Sequence, residues 1–235
     1  MFPHTFSSMQ FYQKKRDIVL YKACDDRHRY ILKGIIPKDL SAKQAFCDEY
    51  HTLKTLKHPS IPVYYGLEEQ FRFPGLSGDF LTLCMEDCSV HPEQEFKQYE
   101  LQELGEILCK ITDVLSYLLD HGILYTDLNP SNLIISRQQN NLQLTLVDFN
   151  YCYYFLRNPN PSYSLRFSYD LFPHLKGRQM LVQEITYLAC ALMESQAVSV
   201  SSLSSRILRL LETGKNPPEG LSLEEFSIMI KESFI

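Results

Sequence analysis

The chain has 235 residues, 45% of them hydrophobic, which is enough apolar content for one large domain or for two lobes that share a cleft. Its formal net charge of -5 gives no overall positive field, so we expect neither nucleic acid nor a membrane to be the principal partner. No apolar run approaches the ~20 residues of a membrane span, and the scattered cysteines favour reduced thiols in the cytoplasm.

The first part of the chain, residues 1–88, is predicted to be rich in strands with one helix. β-Branched and aromatic residues in 17–23 and 28–35 flank a short polar turn, a pattern that predicts a hairpin. Alternation along the second of these strands places Lys33 on one face between two isoleucines. Taken alone, Lys33 has a plainer interpretation as a solvent-facing lysine near a strand end.

The helix is predicted from Ser41 to about Leu56. Gln44 follows Ser41 at the spacing of a capping box, which begins a helix. Helical periodicity places Glu49 in the apolar stripe, so its carboxylate should point inward. Burying a carboxylate without a partner is costly, and Lys33 is the expected cation.

The second part, residues 89–235, is predicted to be compact and mainly helical. Apolar residues recur at helical spacing from Leu101 to Leu118, and Gly122 is a suitable C-terminal stop. A later strand of alternating leucines ends at Asp148, where a functional acid often projects. The whole pattern is α+β, divided into a strand-rich lobe and a helical lobe.

Two short segments of the second part carry the candidate catalytic residues. The first runs from Tyr125 to Asn132 and includes Asp127, and the second is Val147-Asp148-Phe149-Asn150. On local grounds the first segment favours a tight turn, so Asp127 and Asn132 have an alternative, purely geometric role.

These segments resemble the catalytic loop and the metal-binding triplet of protein kinases. The resemblance implies a bilobal α+β protein-kinase-like fold, with an N-lobe at 1–88 and a C-lobe at 89–235 in one catalytic domain. It looks most like compact bacterial Ser/Thr kinases. The N-lobe order of that family is matched by Leu20-Tyr21-Lys22-Ala23, Tyr30-Ile31-Leu32-Lys33, Glu49 and His58-Pro59-Ser60-Ile61.

The resemblance implies ATP and Mg²⁺ as cofactors and assigns a role to each matching residue. Lys33 would hold the α- and β-phosphates of ATP, and Glu49 would hold Lys33 in place. Asp127 would accept or orient the proton of the attacking hydroxyl. Asn132 and Asp148 would bind Mg²⁺, which prefers hard oxygen donors.

The segment 80–88 is similar to the one that joins the two kinase lobes. By that resemblance Met85 borders the adenine, and the backbone from Glu86 to Cys88 hydrogen-bonds the base. An ordinary core strand is the alternative interpretation.

Several positions depart from the family pattern. Thr126 replaces the arginine that would receive an activation-loop phosphate, and Asn129 replaces the lysine of Ser/Thr kinases. Asn150 stands where glycine normally follows the Asp-Phe pair, a mild change because asparagine tolerates left-handed backbone angles. The three positions aligned with the glycines that cover the phosphates hold Gln13, Lys15 and Ile18.

The leading expectation is an ATP- and Mg²⁺-dependent phosphotransferase that acts on hydroxyl groups of a protein. The departures favour an alternative, a pseudokinase that serves as a nucleotide-binding, scaffold or regulatory module for a protein partner. A small-molecule kinase is a second alternative, since it shares Asp127, Asn132 and Asp148.

Overall fold

The computed structural model describes residues 2–3, 5–89, 99–138, 141–149, 152–154, 174–196 and 198–235. The chain divides into two compact units, Met1–Ser89 and Val90–Ile235. No helix in these described ranges is both long and apolar enough to cross a membrane.

The first unit is a five-stranded antiparallel sheet of order β1-β2-β3-β5-β4 with one helix, α1. One face of the sheet carries a buried, largely aromatic cluster, which shields that face from solvent. The cluster includes Tyr21, Tyr30, Leu32, Phe73 and Cys84. The elements are β1 Ser8–Lys15, β2 Ile18–Cys24, β3 Arg29–Ile35, α1 Leu40–Leu53, β4 Tyr64–Phe71 and β5 Phe80–Glu86.

The predicted hairpin is present as β2 and β3, but the predicted start and end of the helix are wrong. Asp39 caps α1 by accepting a 2.8 Å hydrogen bond from the Ala42 amide, so the helix begins before Ser41. A carboxylate suits an N-cap at least as well as a hydroxyl does, and it also favours the positive end of the helix dipole. The helix ends at Leu53, three residues before the predicted Leu56.

The second unit combines helices with short two-stranded sheets formed by β6 with β9 and β7 with β8. Its core is built on the apolar stripe of α2, whose residues Ile107, Ile111 and Leu115 are fully buried. The elements are α2 Leu101–Asp120, β6 Ile123–Leu124, a 3₁₀ turn Pro130–Asn132, β7 Leu133–Gln138, β8 Asn141–Leu146, β9 Tyr153–Tyr154, α3 His174–Ser195, a 3₁₀ turn Val200–Ser202, α4 Ser205–Lys215 and α5 Leu223–Phe234.

The predicted end of α2 is confirmed, and α5 begins with a capping box. Gly122 has φ 74° just beyond the last turn of α2, a left-handed angle that stops the helix and turns the chain toward the first functional segment. At α5 the Ser222 hydroxyl accepts from the Glu225 amide at 3.1 Å, and the Glu225 carboxylate accepts from the Ser222 amide at 2.8 Å. The Ser222 amide and hydroxyl both donate to the Glu225 carboxylate and lower its pKa, and the exchanged bonds form a capping box.

Candidate active site

Lys33 lies in the middle of the sheet of the first unit, on the face opposite the aromatic cluster. Strand register sets it between Leu20 of β2 and Leu83 of β5, and only 5% of the residue is exposed. Its ammonium donates to both carboxylate oxygens of Glu49, each at 2.9 Å. The plainer interpretation of Lys33 as a solvent-facing lysine is therefore wrong.

Helix α1 delivers Glu49 inward, as its place in the apolar stripe predicts. Glu49 is 2% exposed, and its Oε1 also accepts a 3.2 Å hydrogen bond from the Tyr64 hydroxyl of β4. The Phe46 ring lies 5.6 Å from the Lys33 ammonium. Such a pair contributes little net stability, because desolvation offsets the Coulomb attraction, so its presence points to a use for the cation.

The turn between β1 and β2 is where the family pattern places its glycines. Lys15 pairs with Ile18, so the turn consists of Arg16 and Asp17 alone. Arg16 closes it with φ 56°, a left-handed angle that glycine adopts at less cost. The side chains of Lys14 to Arg16 are exposed.

The segment expected to meet a base follows β5 in the same unit. Met85 is half-buried and pairs with Ile31 on the Lys33 face of the sheet. The Glu86 amide donates to the Val63 carbonyl at 2.8 Å, and the Asp87 amide donates to the Arg29 carbonyl at 3.1 Å. Both amides thus bond to the neighbouring chain segments at the end of β5.

In the second unit, Asn132 fixes Asp127. The Asn132 side-chain nitrogen donates to the main-chain carbonyl of Asp127 at 2.8 Å and to its carboxylate at 3.1 Å. Only the nitrogen of an amide can donate, so these two bonds determine which way the amide points and turn its oxygen away from Asp127. Asn132 itself is 4% exposed and is the last residue of the 3₁₀ turn.

Asn129 makes the side-chain to backbone bonds of the tight turn that this stretch of sequence predicts. Its side-chain nitrogen donates to the Asp127 carbonyl at 3.0 Å, and its oxygen accepts from the Ser131 amide at 3.0 Å. Asn129 thereby caps the 3₁₀ turn and restrains the backbone of Asp127. The turn favoured by this stretch of sequence is confirmed, and Asp127 lies two residues before its cap.

Tyr125 links the loop of Asp127 to Asp148. Its hydroxyl donates to the Val147 carbonyl at 2.7 Å, and its ring meets that of Phe149 edge-on at 5.3 Å. Burial raises the pKa of Tyr125 well above its ordinary value, so the hydroxyl remains a donor. Asp148 itself has φ 62°, a strained angle for a residue other than glycine and one that often marks a functional position. Asn150 lies outside the described residues.

Asn132 and Asp148 present an amide oxygen and a carboxylate, which are the hard oxygen donors that suit Mg²⁺. Among the described residues, no group of three or more His, Cys, Asp or Glu side chains forms a metal site by itself. A two-residue oxygen set fits Mg²⁺ held partly by phosphates and water, as in nucleotide sites.

Residues 18–202 match the family described as Protein kinase domain. The serine/threonine-protein kinase OXI1 of Arabidopsis thaliana is 25% identical over 185 residues, which cover 75% of this chain and 42% of that protein. A probable inactive receptor kinase of the same plant is 29% identical over 149 residues, or 60% of this chain and 14% of that protein.

The cAMP-dependent protein kinase catalytic subunit of Schizosaccharomyces pombe is 27% identical over 140 residues, covering 56% of this chain and 25% of that protein. The chain thus spans less than half the length of each of these three relatives. None of the three supports the expected bacterial origin. The family match extends over both structural units, and with the α+β architecture it places this chain in the protein kinase domain family, with the bilobal fold of that family.

Proposed function

We propose that this protein is an ATP- and Mg²⁺-dependent phosphotransferase that transfers the γ-phosphoryl group to a hydroxyl group of a protein. The observation that carries the proposal is the buried ion pair between Lys33 and Glu49. A cation held this rigidly in a sheet is suited to neutralise phosphate charge, because the protein has already met its desolvation cost.

The first unit would hold the nucleotide. Lys33 would neutralise the α- and β-phosphates while Glu49 keeps its ammonium in place. Met85 would border the adenine. Since the amides of Glu86 and Asp87 bond within the sheet, the backbone groups proposed for the base are the Glu86 carbonyl and the Cys88 amide.

The second unit would carry the transfer step. Asn132 and Asp148 would hold Mg²⁺, which neutralises charge on the phosphates when bound. The acceptor hydroxyl oxygen forms a bond to the γ-phosphorus, and the bond from that phosphorus to the β,γ-bridging oxygen breaks, releasing ADP. The hydroxyl proton passes to the Asp127 carboxylate, which Asn132 keeps in position.

Protein hydroxyls are proposed as acceptors because two of the relatives above carry the names of Ser/Thr-type or cAMP-dependent protein kinases. The substrate would then be another protein, and the cytoplasm is the proposed location. Asn129 caps a turn rather than supplying a cation, so the phosphate charge would be met mainly by Lys33 and the metal.

The test is transfer of labelled γ-phosphate from ATP to generic protein substrates and to the protein itself, with and without Mg²⁺. Asp127→Asn and Asp148→Asn should each abolish transfer, whereas the exposed Asp120→Asn at the end of α2 should not. The proposal fails if the unaltered protein binds ATP but transfers no phosphate, or if activity survives Asp148→Asn.

The alternative is a pseudokinase that binds nucleotide or a protein partner without transfer. Two observations favour it: the turn over the expected phosphate position is closed by Arg16 without a glycine, and one relative is named as a probable inactive kinase. ATP binding that is indifferent to Mg²⁺, without turnover, would support this alternative.

A further inference from the structure

We infer that Tyr64 is a positioning residue for the Lys33 cation, acting through Glu49. This inference rests on the proposed nucleotide-binding function of Lys33. It starts from the third hydrogen bond to the Glu49 carboxylate, which comes from the Tyr64 hydroxyl at 3.2 Å.

Tyr64 is placed for this role by the sheet. It is the first residue of β4, pairs with Met85 of β5 and is 7% exposed. Its neighbour Tyr65, the extra residue of a bulge between Tyr64 and Gly66, packs against the aromatic cluster on the other face. The hydroxyl of Tyr64 therefore meets α1 on the side where Glu49 enters.

The need for a third donor follows from the chemistry of the pair. Both Glu49 oxygens accept hydrogen bonds from the Lys33 ammonium. When a phosphate also accepts from that ammonium, the bonds to Glu49 weaken, and the buried carboxylate has little water to replace them. A neutral hydroxyl on Oε1 keeps the carboxylate satisfied at that moment and adds no competing charge. It also ties α1 to β4 through the same oxygen.

The test is equilibrium binding of ATP to Tyr64→Phe, which keeps the ring and removes only the donor. We expect ATP affinity to fall about fivefold to twentyfold, less than the full effect of losing a hydrogen bond to a charged group, because Tyr64 acts on ATP only through Glu49. The KM for ATP should rise by a similar factor, with kcat changed by less than about twofold if the group acts mainly on nucleotide binding. Tyr65→Phe, the matched loss of a hydroxyl on the opposite face, should bind ATP like the unaltered protein.

A double-variant cycle separates positioning from a general effect on folding. In a Lys33→Met background the further change Tyr64→Phe should alter ATP affinity by less than about twofold, because the cation through which it acts is gone. The inference would be overturned if Tyr64→Phe lowered ATP affinity equally in both backgrounds, or if it caused no loss in the protein with Lys33 intact. Either result would leave the proposed function intact. Absence of ATP binding by the unaltered protein would instead overturn the proposed function, and this role with it.

Discussion

Asn132 donates one side-chain amide group to two atoms of Asp127, the main-chain carbonyl at 2.8 Å and the carboxylate at 3.1 Å. The backbone and the side chain of the proposed base are therefore held by the same residue. Because the amide oxygen is turned the other way, Asn132 can also offer an oxygen to a metal ion. In the proposed function, one buried asparagine would therefore both position the acid and bind the metal.

Asn132→Asp tests this dual role, because it keeps an oxygen ligand and removes the donor. A second carboxylate would face the oxygens of Asp127, so we expect phosphoryl transfer to fall by about tenfold to a hundredfold and the free energy of unfolding to fall by about 1–3 kcal/mol. Steady-state kinetics and urea denaturation measure the two effects. Asn141→Asp, at the exposed start of β8, is the matched control. Unchanged kinetics in Asn132→Asp would show that the two bonds do not position the base.

Removing one member of the buried Lys33–Glu49 pair should lower the free energy of unfolding far more than replacing both members with apolar residues. Glu49→Ala leaves a buried ammonium without its carboxylate, so the free energy of unfolding should fall by about 3–5 kcal/mol. The double variant Lys33→Met/Glu49→Leu should recover most of that loss while abolishing transfer. Urea denaturation gives the comparison. Glu69→Ala, which breaks the exposed Lys43–Glu69 pair, should cost less than about 1 kcal/mol. Equal costs for the two glutamates would contradict the prediction.

Asp25 should make the first unit sensitive to acid. The Tyr30 hydroxyl donates to its carboxylate at 2.5 Å, and this bond, helped by the amides of Arg27 and His28, lowers the pKa of Asp25 from 3.8 to about 2. Because the folded pKa lies below the unfolded one, the stabilisation is present above about pH 4 and is lost as the pH falls toward 2. The difference in unfolding free energy between the unaltered protein and Asp25→Asn should shrink over that interval.

Tyr30→Phe removes the largest cause of the lowered pKa and should reduce the same acid-dependent difference. Denaturation curves at several pH values between 2 and 6 give the measurement. A stability difference that stays constant through this range would show that the Tyr30 bond does not shift the titration of Asp25.

Gly214→Ala should destabilise the second unit although alanine normally favours a helix by ~1 kcal/mol over glycine. A Cβ at Gly214 of α4 would fall on the hydroxyl of Thr186 in α3, which is 1% exposed and donates to the Val182 carbonyl. We expect a loss of about 1–3 kcal/mol from overpacking. Thermal or urea unfolding tests it, and Thr186→Ala in the same chain should relieve part of the loss. A gain in stability from Gly214→Ala would show that α3 and α4 are not in close contact at Gly214 and Thr186.

Local patterns predicted those elements whose signals lie within a few residues. The inward direction of Glu49 follows from helical period alone, and the stop of α2 follows from the left-handed angle that Gly122 adopts without cost. The start of α1 was predicted wrongly because two capping residues, Asp39 and Ser41, stand close together and sequence alone does not rank them. The roles assigned to Asp127, Asn132 and Asp148 in catalysis remain predictions.

The sequence by itself determined the α+β pattern, the order of the family motifs and the pairing of Lys33 with an inward acid, because periodicity and spacing are written along the chain. Only the tertiary structure decided that Tyr64 completes that pair and that Tyr125 reaches Val147. These two contacts depend on side-chain direction and join residues 15 and 22 positions apart. Strand register and burial set such directions, and neither is written in the local order of residues.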